Sequence, residues 1–398
     1  MLKSLCKTAV VGCTLMLASL SVAQTPTPVP QPTPAMIQPA VPAPPQIAAS
    51  SYILMDASSG AVLVEHNADE RLPPASLTKM MTSYIGSLEL IEGRINEQDG
   101  VLISETAWRK GGSKMFVKVG DRVPFIDLKR GIIIQSGNDA SIALAEHVAG
   151  SEDAFADMMN RHAERLGLRN SHFTNATGWP DDNMYSSARD MAILAQAIIR
   201  DDVDYYPIYK EKEYTWNGIT QSNRNRMLWR DSSVDGLKTG HTEAAGYCLV
   251  ASAEREGMRL ISVVMGASSD AVRTAETQKL LTWGFRFHET RRFYQPGQVL
   301  SSARVWGGES MQVDVGLADG LILTLQRGQF DNLEATIELD KALKAPIAAG
   351  ARLGTVEVRN GNQVLHSAPV VALNEVPAAG FFGRLWDSIR LFFHNLFN

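Results

Sequence analysis

Nine of the 18 prolines in this 398-residue chain fall between Gln24 and Ala48, in the stretch QTPTPVPQPTPAMIQPAVPAPPQIA. Proline has no backbone N–H to give to a helix or a sheet, and its ring holds φ at about −65°. Such a stretch stays extended and solvated as polyproline II, a spacer with no packed core of its own. It divides the chain into a short leading segment and a long remainder that must contain the folded part.

The leading segment reads as an address. Lys3 and Lys7 supply a positive start, TAVVGCTLMLASL is a short apolar core, and SVAQ places small residues around a cleavage point after Ala23. The apolar run falls short of the roughly 20 residues that span a bilayer, so a cleaved secretory signal is expected at 1–23 and a spacer at 24–48. Cys6 and Cys13 leave with the signal. Cys248 remains alone, without an internal disulfide partner, and reads as a small apolar residue in a strand.

The whole chain is 45% hydrophobic and 20% charged, enough to bury a sizeable core. A net charge of −5 without basic clusters argues against a nucleic-acid partner. The eight histidines are scattered without metal-ligand spacing, and neither a G-x-S-x-G elbow nor an H-E-x-x-H helix occurs. No metal and no cofactor is implied.

Two β-type runs, SYILMDA and AVLVEH, flank Ser58-Ser59-Gly60 and read as a hairpin. From Leu77 a helix is predicted, with Leu77, Met80, Met81, Tyr84, Ile85 and Leu88 on one apolar face. A long helical stretch follows through Phe125–Leu168. GLKTGHTEAAGYCLVASAEREGMRLISVVMGAS gives strands either side of a turn at Glu256-Gly257, and DAVRTAETQKLLTWGFRFHE closes the region as a helix. Strands at both ends with helices between predict an α+β domain over 49–290 whose sheet joins sequence-distant strands. From about Pro296, short alternating runs separated by Gly, Asp and Asn predict a small all-β, sandwich-like domain over 291–376.

The last segment, 377–398, contains FFGRLWDSIRLFFHNLFN. Phe382, Leu385, Trp386, Ile389, Phe392, Phe393 and Leu396 fall on one helical face, with Arg384, Asp387, Ser388 and Asn395 largely on the other. Five phenylalanines and a tryptophan exceed what a docking stripe requires, so a helix lying in a membrane interface is expected.

Three short motifs carry the chemistry. Ser76-x-x-Lys79 puts a hydroxyl and an amine one helical turn apart on the same side. Alone it is nearly uninformative, since Ser4-x-x-Lys7 repeats it by chance in the signal. Ser136-Gly137-Asn138 and Lys238-Thr239-Gly240 each occur once, in order, at a helical-region loop and on a strand. The set S-x-x-K, S-x-N, K-T-G marks penicillin-recognising serine acyl-transferases. QSGNDASIALAEHVAGSE, LGLRNSHFTNATGWPDDNMYSSARDMAILAQAII, KEYTWNGITQSNRNRMLW and VDGLKTGHTEAAGYCLVASA then resemble the serine-type D-alanyl-D-alanine carboxypeptidases, low-molecular-mass penicillin-binding proteins, from Ser50 to the C-terminus. The Pro-rich spacer and NATGW depart from the family pattern without touching the motifs.

The resemblance implies a β-lactamase/transpeptidase-like catalytic domain and an acyl-enzyme on Ser76. A serine hydroxyl needs a base within hydrogen-bond reach, and Lys79 can serve if burial and the like charge of Lys238 disfavour its ammonium form. The N–H groups of Ser76 and His241 would form the oxyanion hole, and Ser136 would pass a proton to the leaving amine. Asn138 would bind the substrate amide, and Lys238, Thr239 and Gly240 the departing carboxylate, with Arg224 and Arg273 resembling family arginines near it. For Arg224 a salt-bridged surface role is the alternative. The expected partners are peptidoglycan stem peptides, β-lactams as covalent inhibitors, and the outer, periplasmic face of the cytoplasmic membrane through the terminal helix. A D,D-endopeptidase, a serine β-lactamase and a non-catalytic muropeptide or β-lactam sensor are the alternatives. Retention of Ser76, Lys79, Ser136 and Lys238 together argues against the sensor.

Overall fold

The computed structural model describes residues 42–340 and 342–397; the expected signal, its cleavage point and the spacer up to Val41 lie outside the described residues. The end of the Pro-rich stretch lies against the folded part, where the Pro42 carbonyl accepts from Trp283 Nε1 at 3.2 Å.

The catalytic sheet has five antiparallel strands. In spatial order they are Val62–His66, Ser51–Asp56, Met258–Ala267, Gly246–Arg255 and Val234–Thr242. The hairpin at Ser58–Gly60 and the turn at Glu256-Gly257 form as predicted, the latter with φ of 50° and 79°, as a two-residue turn of the right twist requires. The sheet is closed by sequence-distant pairing of Ser51–Asp56 with Met258–Ala267. Both faces are buried. Ile53, Met55, Ile261, Val263 and Met265 pack into one core, and Leu54, Leu260 and Val264 into another, following the two-residue period of a strand. Burial on both sides is why these strands read as nearly unbroken apolar runs.

Helix Asp270–Phe287 covers the second face through Leu280, Leu281, Trp283 and Phe285. The first face carries the helices that lie between the two halves of the sheet in sequence. The predicted long helical stretch is three helices, Phe125–Ile133, Asn138–Ala149 and Glu152–Leu166. The breaks fall at Ser136-Gly137, where Ser136 has φ 59°, and at Gly150, with φ 82°. A further helix, Ala188–Asp201, packs on the same face and was not predicted, although Met191, Leu194, Ala195 and Ile198 carry a helical period.

The helix after the S-x-x-K serine differs from the sequence expectation in two ways. It starts at Lys79, and Ala75–Thr78 is a 3-10 turn whose ends have no side-chain cap, so Ser76 is not a helix cap. The helix is also enclosed on all sides instead of showing one apolar face, for Thr82, Ser83 and Ser87 are fully buried while Leu88 is only half-buried. Its polar side is satisfied internally: Lys129 Nζ donates to Ser83 Oγ at 3.0 Å, and Ser87 Oγ donates to Asp202 Oδ2 at 2.6 Å. Buried polar groups of this kind are tolerated when each finds a partner.

The all-β domain begins earlier than the change in texture at Pro296 suggested. Helix Asp270–Phe287 runs directly into strand His288–Tyr294, which pairs with Leu321–Gln326 in a two-stranded sheet. His288 and Glu289, read as the end of the helix, open that strand. The five remaining predicted runs, with the short unpredicted strand Leu343–Lys344, form a six-stranded sheet with a core of Val305, Val313, Val315, Val356, Val358 and Val370. The two domains meet at a hydroxyl cluster: Thr290 Oγ1 donates to buried Asp56 Oδ2 at 2.7 Å, and Thr324 Oγ1 lies 2.6 Å from Ser59 Oγ.

The final helix, Phe381–Phe397, turns its polar side to the β domain, where Asp387 Oδ2 accepts the Gly307 N–H at 3.0 Å. Phe382 is 84% exposed and Trp386 59%, with Phe381, Leu385 and Ile389 also open to solvent. No helix among the described residues is long and apolar enough to cross a membrane.

Candidate active site

The three motifs come from different elements and converge. The 3-10 turn offers Ser76, the next helix opens with Lys79, the loop before Asn138–Ala149 holds Ser136, and edge strand Val234–Thr242 carries Lys238, Thr239 and Gly240. Close approach of that strand to the turn requires a glycine: a Cβ on Gly240 would sit 3.0 Å from the Pro74 carbonyl oxygen and 3.3 Å from Leu77 N.

Lys79 is 1% exposed and donates to Ser76 Oγ at 3.0 Å and to the Thr177 carbonyl at 2.6 Å. Burial is the main cause that brings its ammonium down to about 7, and the nearby Arg224 guanidinium adds to it. Lys238 Nζ donates to Ser136 Oγ at 2.9 Å and to the Thr239 carbonyl at 2.9 Å. Burial first, then the charges of Lys79, Arg224 and Arg273, push it well below the ordinary lysine value. Two serine–lysine pairs therefore face one another, with lysines that lose their protons far more readily than free ones. This environment equips each pair to accept and pass a proton, and the Ser76–Lys79 pair to do so near neutral pH.

Asn138 opens its helix and donates through Nδ2 to the Gly111 carbonyl at 2.8 Å. Thr239 is buried beside Lys238, whereas His241 is exposed and its ring lies tilted against Tyr247 with centroids 4.0 Å apart, leaving its backbone as the part nearest the motif. Arg224 is exposed and forms no hydrogen bond or ion pair among the described residues, which disfavours the salt-bridged surface role. Arg273 is buried and committed: Nε donates to Asp270 Oδ1 at 2.9 Å, and Nη1 to the carbonyls of Gly240 at 2.9 Å and Cys248 at 3.1 Å. It braces the K-T-G strand from behind. Cys248 is buried in the neighbouring strand, and burial raises its thiol to about 11, which keeps it protonated and inert.

Sequence reading missed the loop that holds Lys79. Asn175 Oδ1 accepts from the N–H groups of Thr177, Gly178 and Trp179 at 3.1, 2.9 and 3.1 Å, and so turns the Thr177 carbonyl onto Lys79 Nζ. An Asn three residues before a Gly is a turn signal that could have identified it. Asp139 was also missed. Its fully buried carboxylate accepts the N–H groups of Met115 at 2.8 Å and Phe116 at 2.9 Å, tying the 111–117 loop to the S-G-N turn. Beside Ser76 and His241, a cleft of about 250 Å³ is lined by Pro73, Ala75, Gly178, Trp179, Asp181 and Thr242.

A family model described as D-alanyl-D-alanine carboxypeptidase matches residues 38–269, more than half of the chain. The chain belongs to the D-alanyl-D-alanine carboxypeptidase family. A second model, for the C-terminal domain of penicillin-binding protein 5, matches residues 288–378. Among family members, the D-alanyl-D-alanine carboxypeptidase DacA of Escherichia coli is 48% identical over 91% of this chain and 92% of its own length. DacC of the same organism is 46% identical over 89% and 90%. The crystal structure of penicillin binding protein 5 from Haemophilus influenzae superposes with a TM-score of 0.82, at 46% identity, over 84% of this chain and 99% of that one. The likeness thus covers the α+β catalytic domain and the all-β domain of this family member together.

Proposed function

We propose that this chain is a serine D-alanyl-D-alanine carboxypeptidase that removes the terminal D-alanine from peptidoglycan stem pentapeptides through an acyl-enzyme on Ser76. The single observation that carries the reading is the Ser76 hydroxyl held 3.0 Å from the amine of a lysine whose proton is lost near pH 7. Neutral Lys79 takes the hydroxyl proton as Ser76 Oγ adds to the penultimate carbonyl carbon. The N–H groups of Ser76 and His241 receive the oxyanion. Asn138 holds the substrate amide, while Lys238 and Thr239 hold the terminal carboxylate. The exposed Arg224 strengthens the positive field at the mouth of the site. Arg273 acts through Gly240 as a positioning residue.

When the intermediate collapses, the carbon–nitrogen bond breaks and the departing amine takes a proton through Ser136, whose hydroxyl is bonded to Lys238. D-alanine leaves, water enters where the amine was, and Lys79 removes its proton as the ester is hydrolysed. A β-lactam acylates Ser76 by the same steps, but its amine remains tethered to the acyl group.

We place the enzyme in the periplasm, on the outer face of the cytoplasmic membrane. The exposed apolar side of Phe381–Ile389 supports this reading, since burial of such surface is worth about 25 cal/mol per Å². The test is incubation with a synthetic pentapeptide ending in D-Ala-D-Ala, with free D-alanine as the readout. Ser76→Ala should abolish both D-alanine release and covalent labelling by a fluorescent penicillin, with an unchanged circular dichroism spectrum. Covalent label on the variant would overturn the assignment of the nucleophile.

A further inference from the structure

A cavity of about 430 Å³ lies where the two domains meet, and none of its lining residues belongs to the catalytic motifs. Its volume falls within the range of small-molecule sites, about 300–1,000 Å³. Four arginines line it: Arg255 and Arg286 from the catalytic domain, and Arg291 and Arg327 from the β domain. They face two carboxylates, Glu256 and Glu289, so the lining carries an excess of positive charge.

Three of the four guanidiniums are held by hydrogen bonds or an ion pair. Arg255 is fixed by Asp231 Oδ2 at 2.6 Å and Ser233 Oγ at 3.0 Å, and lies over the Phe285 ring at 4.6 Å. Arg327 Nη2 donates to the Phe285 carbonyl at 3.0 Å, on the same residue. Arg291 is paired with Glu289 at 3.0 Å and rests over Phe330. Arg286 lies over the Phe287 ring, and neither it nor Arg327 pairs with a carboxylate among the described residues. Arg255 and Arg291 are each paired with a carboxylate, while Arg286 and Arg327 keep donors free at the cavity.

We propose that this junction cavity is a binding site for a phosphoryl anion. Planar guanidiniums match the spacing of phosphate oxygens and bind them in pairs, and Arg255, Arg291 and Arg327 are already held by neighbours, so chiefly Arg286 remains to be ordered on binding. A ligand bridging Arg286 and Arg327 ties the catalytic domain to the β domain. It does so without reaching Ser76.

Isothermal titration of the full chain with inorganic pyrophosphate tests this. Saturable one-to-one binding is expected, weakened about tenfold or more by Arg286→Gln and by Arg327→Gln, as loss of one charge-assisted contact predicts. Arg327→Lys should regain part of the affinity, and all these variants should keep D-alanine release. Arg292→Gln, at an exposed position of strand His288–Tyr294 outside the lining, should bind as the parent does. A parallel titration with glycerophosphoglycerol, the phosphodiester head of a lipid, identifies the source: comparable binding assigns the site to lipid head groups, and a marked preference for pyrophosphate to free or terminal phosphates. Absence of saturable binding to either probe, or equal loss in Arg292→Gln and Arg286→Gln, would overturn the proposal.

Discussion

A Cβ added to Gly178 would lie 1.8 Å from the carbonyl oxygen of Ala75, the residue before the nucleophile. Gly178 has φ 77° and Ala75 has φ 48°, so the Asn175–Trp179 loop and the Ser76 turn meet backbone to backbone. Gly178→Ala is predicted to destabilise the fold by about 2–4 kcal/mol, from overpacking and a strained φ together. Because the strain falls on the Ser76 turn and on the Thr177 carbonyl, acylation by penicillin should slow more than the loss of folded protein accounts for. Thermal melts and stopped-flow labelling measure the two separately; a variant with the parent's labelling rate per folded molecule would contradict this coupling.

The depressed value of Lys79 gives two pH effects of definite sign. As a base it works unprotonated, so acylation should rise with pH through about 7 and level off above it. For stability, the unfolded chain binds a proton at Lys79 between about 7 and 10.5 that the folded chain does not. Folding is therefore penalised most below pH 7, and the penalty fades as pH rises towards 10.5. Lys79→Met removes this dependence along with the activity. Its melting temperature relative to the parent should be highest near pH 7 and decline as pH is raised to 9. A relative melting temperature independent of pH would show that Lys79 is not depressed in the fold.

Deleting Phe381–Asn398 should move the mature protein from membranes to the soluble fraction. Turnover of a small soluble pentapeptide should change less than twofold, because among the described residues the helix bonds to the β domain at Gly307 and to none of the catalytic motifs. Fractionation and D-alanine release on the same preparations give both readouts. Membrane association that survives the deletion would point to a different anchor.

Penicillin should leave an adduct that outlasts many turnovers of peptide. Class A β-lactamases activate the deacylating water with a glutamate in an E-x-x-L-N context. Here Glu164 is followed by Arg-Leu-Gly-Leu, and no E-x-x-L-N occurs. The glutamate close to the site in this region, Glu152, accepts the Ala176 N–H at 3.0 Å and so braces the Lys79 loop. Mass spectrometry of the intact protein should show the penicilloyl adduct persisting for minutes or longer; rapid, repeated release of penicilloic acid would favour the β-lactamase reading.

The sequence by itself determined the three motifs, the strand runs of the catalytic domain and the alternation of the β domain. These depend on local periodicity and on residue chemistry that no context alters. It also marked the terminal helix as amphipathic, but its polar contact through Asp387 with Gly307 is a tertiary fact. The enclosed polar side of the Lys79 helix was illegible, since Ser83 and Ser87 look like solvent-facing residues until Lys129 and Asp202, far away in sequence, are seen to reach them. The roles of the arginines were equally undecided: Arg224 and Arg273 are alike as letters, yet one is exposed without a partner and the other is locked onto Asp270 and the Gly240 carbonyl. The value of Lys79 belongs to the tertiary structure as well. A lysine alone titrates near 10.4, and only enclosure by distant segments, which removes water from the ammonium and adds the charge of Arg224, brings it down to about 7.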